Sequence, residues 1–250
     1  NANKALEADP ECYLAYQLKA WSYFKQKMYD DALVAIDCAI ARVPSDNISR
    51  NMLTPQLYED RGNILYKLGR MLEAAIAYET MLTSSNNLTR KQRCFAHSRA
   101  AACHLELKNY DKALQHVTTA RRIEGLRDSD KYLLLEQQVE ILLRTNRFVE
   151  ASVLAMQMSE VSKFVTLVFF ITGLHFEHVE KNPSAAHMYY NLAIKAHPHF
   201  LLARHALVSL CTRHADTLKI PDDLPPPIEP KYQEINLMVE VCDTFFFKIL

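Results

Sequence analysis

The stretch "YLAYQLKAWSYFKQKMYDDALVAIDCAIARVP", Tyr13 to Pro44, decides the fold. It holds no glycine, and its one proline is its last residue. Its apolar residues do not alternate as those of a half-buried strand would. With Tyr13 as position 1, Tyr16, Ala20 and Tyr23 fall at 4, 8 and 11, and Ala32, Ile36 and Ala39 at 20, 24 and 27. Steps of three and four set each trio on one face of a helix. Small residues at 8, 20 and 27 let two helix backbones approach, and large ones at 4, 11 and 24 fill the space around them. Pro44, at 32, stops the second helix. The stretch reads as a helix–turn–helix unit.

The offsets return down the chain. A second copy sets Tyr58, Gly62, Leu65, Ala74 and Tyr78 at 4, 8, 11, 20 and 24. A third sets Ala101, His104, Ala113, Val117 and Ala120 at 8, 11, 20, 24 and 27, and a fourth keeps Leu135, Leu142 and Ala151 with Val139 at 8. A fifth has Gly173 at 8 and Phe176 at 11, then needs one extra loop residue before Ala186, Tyr190, Ala193 and Pro198 resume the pattern. "NKALEADP" fits the end of an earlier copy, so residues 1–10 are expected to close a preceding repeat and the chain to belong to something longer. After Pro198, Leu207 and Cys211 mark a sixth first helix. Two segments read as over-long connections: Asn47–Thr54 and "SSNNLTRKQR" after the second copy.

This pattern resembles the tetratricopeptide repeat, a helix–turn–helix of about 34 residues. The resemblance covers roughly residues 1–215. It implies an all-α fold, a right-handed superhelical solenoid of about five and a half helix–turn–helix repeats over residues 11–215. A Pro-rich linker (216–230, with "IPDDLPPPIEP") and an apolar helix (231–250) would follow, the helix capping the solenoid or leading into a further region. The composition agrees with an all-α chain: only 4 of 250 residues are glycine, and hairpins and tight βα turns depend on glycine for positive φ.

The resemblance also implies where a partner would bind. In this family a concave groove is lined by positions 2, 5, 9, 12 and 13 of each first helix. Here those positions include Gln17, Trp21, Phe24 and Lys25 in the first copy, Asn63, Tyr66 and Lys67 in the second, and Phe95 in the third, with Arg99 at position 6 of that copy. The chain's single tryptophan therefore falls beside the packing stripe rather than on it. Aromatic anchors flanked by amides and charges are what peptide sites use. The alternative is that Trp21 packs against a neighbouring first helix as core. In this frame the early copies offer lysines and an arginine at the groove margin and the fourth offers Glu136 and Glu140, so the groove is expected to run from mildly basic to acidic.

Cochaperones of this family hold the C-terminal carboxylates of heat-shock proteins with a clamp of Lys, Asn and Arg. Starting from the first copy, Gln17, Trp21, Asp60 and Phe95 stand in the clamp positions and only Arg99 matches; starting from the second, Glu59 brings the wrong charge. The resemblance does not extend to capture of chaperone tails.

Other functions find no support in the residues. Lys and Arg together number 29, as do Asp and Glu, so no basic excess points to nucleic acid. No apolar run is long enough to span a bilayer. The six cysteines are scattered, with no CxxC pair, and fit reduced side chains of an intracellular protein, cytoplasmic or nuclear. His175 and His178 stand three apart, and His197 and His199 flank Pro198, but no carboxylate or cysteine completes a metal set. No nucleotide loop, metalloprotease helix or nucleophile elbow occurs. The sequence reads as a non-enzymatic scaffold without cofactor or metal, holding a peptide or helix of a partner protein within a multiprotein complex. The alternative is a passive spacer, or the regulatory arm of an enzyme whose catalytic domain lies elsewhere.

Overall fold

The computed structural model describes residues 6–7, 9–44, 47–85, 87–159 and 164–222, with residues 47–51 described by backbone alone. Among the described residues eleven helices follow one another from Tyr13 to Arg213: α1 (Tyr13–Lys25), α2 (Tyr29–Ala41), α3 (Asn47–Lys67), α4 (Met71–Ser84), α5 (Arg90–Glu106), α6 (Tyr110–Arg121), α7 (Asp128–Arg144), α8 (Phe148–Met156), α9 (Val165–His178), α10 (Pro183–Ala196) and α11 (Leu201–Arg213). No strand occurs among the described residues. The expected helix at 231–250 and most of the expected linker at 216–230 lie outside the described residues.

Within the first four pairs the turn is closed the same way. The residue two positions past the first helix has positive φ: Lys27 (61°), Gly69 (74°), Lys108 (59°) and Asn146 (57°). The next amide then reaches back five residues, from Met28 to the Tyr23 carbonyl, Arg70 to Leu65, Asn109 to His104 and Arg147 to Leu142. This is a Schellman closure, which satisfies carbonyls that the helix end would orphan. In the fifth pair the extra residue moves the left-handed position to Lys181 (54°), and the Asn182 amide reaches Phe176. Asn182 also caps α10, its side chain accepting from the Ala185 amide, with Pro183 opening the helix.

Two segments read as connections are helix. Asn47–Thr54 forms the start of α3, which is 21 residues long and carries Pro55 inside it. Arg90–Arg93, the end of "SSNNLTRKQR", opens α5 behind a capping box: the Thr89 hydroxyl accepts from the Gln92 amide and the Gln92 side chain accepts from the Thr89 amide. The repeat pattern marks only packing positions, so it is silent about first helices that start early. Local capping decides those starts.

The chain divides into two compact units, Asn1–Gln137 and Gln138–Leu250. The core of the first is built from the small and large residues of the repeat: Ala20, Ala32, Ile36, Ala39, Leu65, Ala74 and Tyr78, with Tyr16, Tyr23 and Tyr58 packed on its edge. Ala101, Ala113, Val117 and Ala120 are likewise buried. In the second unit Val139, Leu142, Ala151, Ala186, Tyr190, Ala193, Leu207 and Cys211 are buried. There Phe170 meets Phe200 edge to face at 5.3 Å. Glu177 accepts from the Tyr190 hydroxyl at 2.5 Å and pairs with Arg213, joining α9 to α10 and α11. No helix among the described residues is long and apolar enough to cross a membrane.

Candidate protein-binding site

In the first unit, α1 and α3 border a cavity of about 130 Å³ lined by Ala20, Trp21, Phe24, Lys25, Asp60, Asn63 and Ile64. Four of the nine expected residues thus meet there. Trp21 leaves 60% of its surface exposed, so it is not a core residue. The Lys25 ammonium lies 5.1 Å from its ring centroid, an arrangement that orients the indole at little cost. Phe24 is half-buried and meets Tyr29 edge to face at 5.5 Å. Asn63 is fixed from below, its Oδ1 accepting from the Tyr78 hydroxyl at 2.9 Å.

Gln17, the fifth expected residue, donates its amide to Asp60 Oδ2 at 2.9 Å, and Gln56 donates to Oδ1 at 3.3 Å. Asp60 is thereby held at the cavity wall with two amide donors and no cation among these contacts. Burial pushes its carboxyl above the usual range, against the pull of both amides. Glu59 is also raised, first by burial and then by the neighbouring Asp60 charge. The expected basic character of the early copies is therefore offset by two acids at their centre.

The remaining expected residues form a second cluster. The Arg99 guanidinium lies 5.3 Å from the Phe95 centroid and 6.0 Å from that of Tyr66, and Phe95 meets Tyr78 edge to face at 6.1 Å. Tyr78 thus touches both clusters, through its hydroxyl and through its ring. Lys67 is exposed in the last turn of α3, where a cation suits the helix dipole. Ser98, on the same expected stripe, is buried instead and donates to Gln137 Oε1 at 2.8 Å. Glu140, on the fourth copy, is paired with Arg144 at 2.8 Å.

Neither a protein-family model nor a curated protein matches the sequence. Solved structures do match. YrrB, described as a TPR protein with an unusual peptide-binding site, superposes with a TM-score of 0.64 at 18% identity, over 82% of this chain and 96% of that one. A tetratricopeptide repeat protein from Parabacteroides merdae gives 0.63 at 17% identity, over 81% of this chain and 73% of that one. The fold is that of the tetratricopeptide repeat. The same fold occurs in the hetero-tetramer Cut9–Hcn1, with a TM-score of 0.54 at 16% identity over 84% of this chain and 38% of that chain.

Two features of this chain escape a reading of the sequence. Asp60 sits at position 6 of its copy, and its tie to Gln17 exists only because α1 and α3 pack together. Glu79, His104 and His116 meet as three ligand atoms within 4.8 Å of one another, although 25 and 12 residues separate them along the chain. The only sequence signal is a histidine at position 11, where other copies have Tyr23, Leu65, Leu142 and Phe176. His175 and His178, three apart, face different partners: His175 Nε2 lies 3.4 Å from Glu180, and His178 stacks on Phe148 at 4.7 Å.

Proposed function

We propose that this chain is a non-enzymatic scaffold whose first unit holds an extended or helical segment of a partner protein against α1, α3 and α5. One observation carries the reading: the chain's only tryptophan stands largely exposed at a cavity whose wall presents Asn63, Lys25 and the half-buried carboxylate of Asp60. An exposed aromatic beside fixed polar groups is the composition of an interface hot spot. The Trp21 and Phe24 pair would supply the apolar anchor, Asn63 and Asp60 would orient it, and Arg99 with Phe95 and Tyr66 would extend the site. The peptide-binding site named for YrrB and the assembly named for Cut9–Hcn1 support a role of this kind within a multiprotein complex. In this reading residues 11–215 form the repeat region. The five free cysteines of the described residues fit a reducing compartment, cytoplasmic or nuclear.

Trp21 is its own probe, since no other tryptophan contributes to the emission. The test is a peptide array probed with the whole chain, followed by titration of the hits against Trp21 fluorescence. Saturable quenching by a hit, lost in Asn63→Ala and in Trp21→Ala by array signal, supports the site. Hits that bind equally well to both variants refer binding elsewhere, and no hits at all match a spacer.

A further inference from the structure

Across the repeat pairs, one set of polar side chains stands apart from the groove. Glu79 on α4, His104 on α5 and His116 on α6 converge from three successive helices. His104 Nε2 lies 2.8 Å and His116 Nε2 3.3 Å from the same Glu79 oxygen, Oε1. The two rings are nearly parallel, at 16°, with centroids 5.5 Å apart, so both present Nε2 to one point. Behind them, His97 Nδ1 meets His116 Nδ1 at 3.0 Å.

We infer that Glu79, His104 and His116 form a binding site for a single divalent transition-metal ion of the zinc class. Two imidazole nitrogens and one carboxylate oxygen are a ligand set that suits zinc, and three protein ligands leave a fourth position for water. Zinc bonds of about 2.1 Å set neighbouring tetrahedral ligand atoms about 3.4 Å apart. The two carboxylate–imidazole distances, 2.8 and 3.3 Å, are already near that spacing, and the third pair lies within 4.8 Å. An ion would enter by small side-chain rotations, not by rearrangement of helices.

The surroundings support the assignment independently. A histidine that binds metal through Nε2 carries its proton on Nδ1, and that N–H needs an acceptor. His97 Nδ1 stands where His116 Nδ1–H would donate; His104 Nδ1 is buried without a hydrogen-bond partner, so this support comes from His116 alone. The site is also held rigidly. His104 is almost fully buried, and its carbonyl accepts from the Asn109 amide in the left-handed turn between α5 and α6. Ala101, Cys103, Ala113, Val117 and Ala120 bury both helices. Glu79 keeps 38% of its side chain exposed, which gives the ion a way in and its water ligand a place. The cluster lies within the first unit and would tie three helices together.

The competing account is a metal-free network, with Glu79 accepting from both Nε2–H groups. Calorimetric titration of the chelator-stripped chain with zinc chloride separates the two. One equivalent should bind, and cobalt in its place should give the intense visible bands of a tetrahedral ion. Glu79→Gln and His116→Asn should each weaken zinc at least about a hundredfold, and His97→Phe by about 10–100-fold. Neither Glu79 nor His116 is among the buried core, so both variants should fold, which circular dichroism confirms. A His197→Asn/His199→Asn double variant should bind as the parent does. Absence of a stoichiometric site, or one unchanged by both Glu79→Gln and His116→Asn, overturns the inference.

Discussion

A Cβ placed on Gly62 would stand 2.6 Å from Tyr78 Cε1. The two residues occupy positions 8 and 24 of one repeat, where first and second helix touch. Gly173 and Tyr190 repeat the relationship in the fifth copy, at 2.5 Å. Where position 8 is alanine, its partner shrinks: Ala20 faces Ile36 in the first copy's register and Ala101 faces Val117 in the third's. Where position 8 is valine, at Val139, position 24 is Ala155. The sum of the two sizes is held while each varies, as a close-packed interior requires. Gly62→Ala therefore sets two effects against each other. Helix propensity favours alanine by about 1 kcal/mol, and overpacking costs about 1–3 kcal/mol. Tyr78 is fully buried and tethered to Asn63, so it cannot yield, and the clash should win by up to about 2 kcal/mol. Urea denaturation checks this. The pair Gly62→Ala/Tyr78→Ile, which imitates the first copy, should be less destabilised than its two single changes predict together.

The left-handed turn residues give a gain rather than a loss. Lys27, Lys108 and Lys181 are exposed and hold positive φ, a region that costs an L-residue about 1–2 kcal/mol. Glycine removes that cost but adds freedom to the unfolded chain. Each of Lys27→Gly and Lys108→Gly should stabilise by about 0.5–1 kcal/mol. Lys67→Gly, at the last residue of α3, should destabilise instead, by up to about 1 kcal/mol. Melting temperatures of the three variants decide it.

The repeat was legible because its packing residues are local to each pair: spacing alone places Ala20, Ala32 and Ile36 on facing stripes. What the spacing could not show has physical reasons. The early starts of α3 and α5 depend on residues outside the packing stripe, although Thr89 and Gln92 carried a readable cap signal. The tie of Gln17 to Asp60 and the meeting of Glu79 with His104 and His116 depend on contacts between copies. A repeat motif describes one copy at a time, so chemistry shared by several is invisible to it.

The groove aromatics should separate stability from binding. Trp21 is largely exposed, so Trp21→Ala should change unfolding free energy by no more than about 0.5 kcal/mol. If it is an anchor it should still cost about 1–3 kcal/mol in affinity for a peptide hit. Phe24 is packed against the core, and Phe24→Ala should lower both. Denaturation and titration on the same two variants distinguish them. A large stability loss from Trp21→Ala would count against the exposed placement.

Asp60 makes the stability of the first unit depend on pH in a definite direction. Burial raises its carboxyl above the ordinary value, outweighing the amides of Gln17 and Gln56. The folded chain therefore takes up this proton at a higher pH than the unfolded chain, which titrates near 3.9. Where the folded state binds more protons, stability falls as pH rises. Asp60 thus works against folding at neutral pH, and that penalty is relieved as pH falls through its raised value, levelling off below about 3.9. Glu73, Asp130 and Glu150 shift the opposite way through their arginine partners, so the whole-protein profile mixes the two signs. The difference between the parent and Asp60→Asn isolates this group together with the part of the Glu59 shift that its charge causes, and both carry the same sign. Measured by denaturation from neutral pH down to about 4, the variant's stability relative to the parent should decline as the pH is lowered. A difference that stays flat, or grows in the variant's favour on acidification, would show that the Asp60 carboxyl is not raised by its place at the cavity.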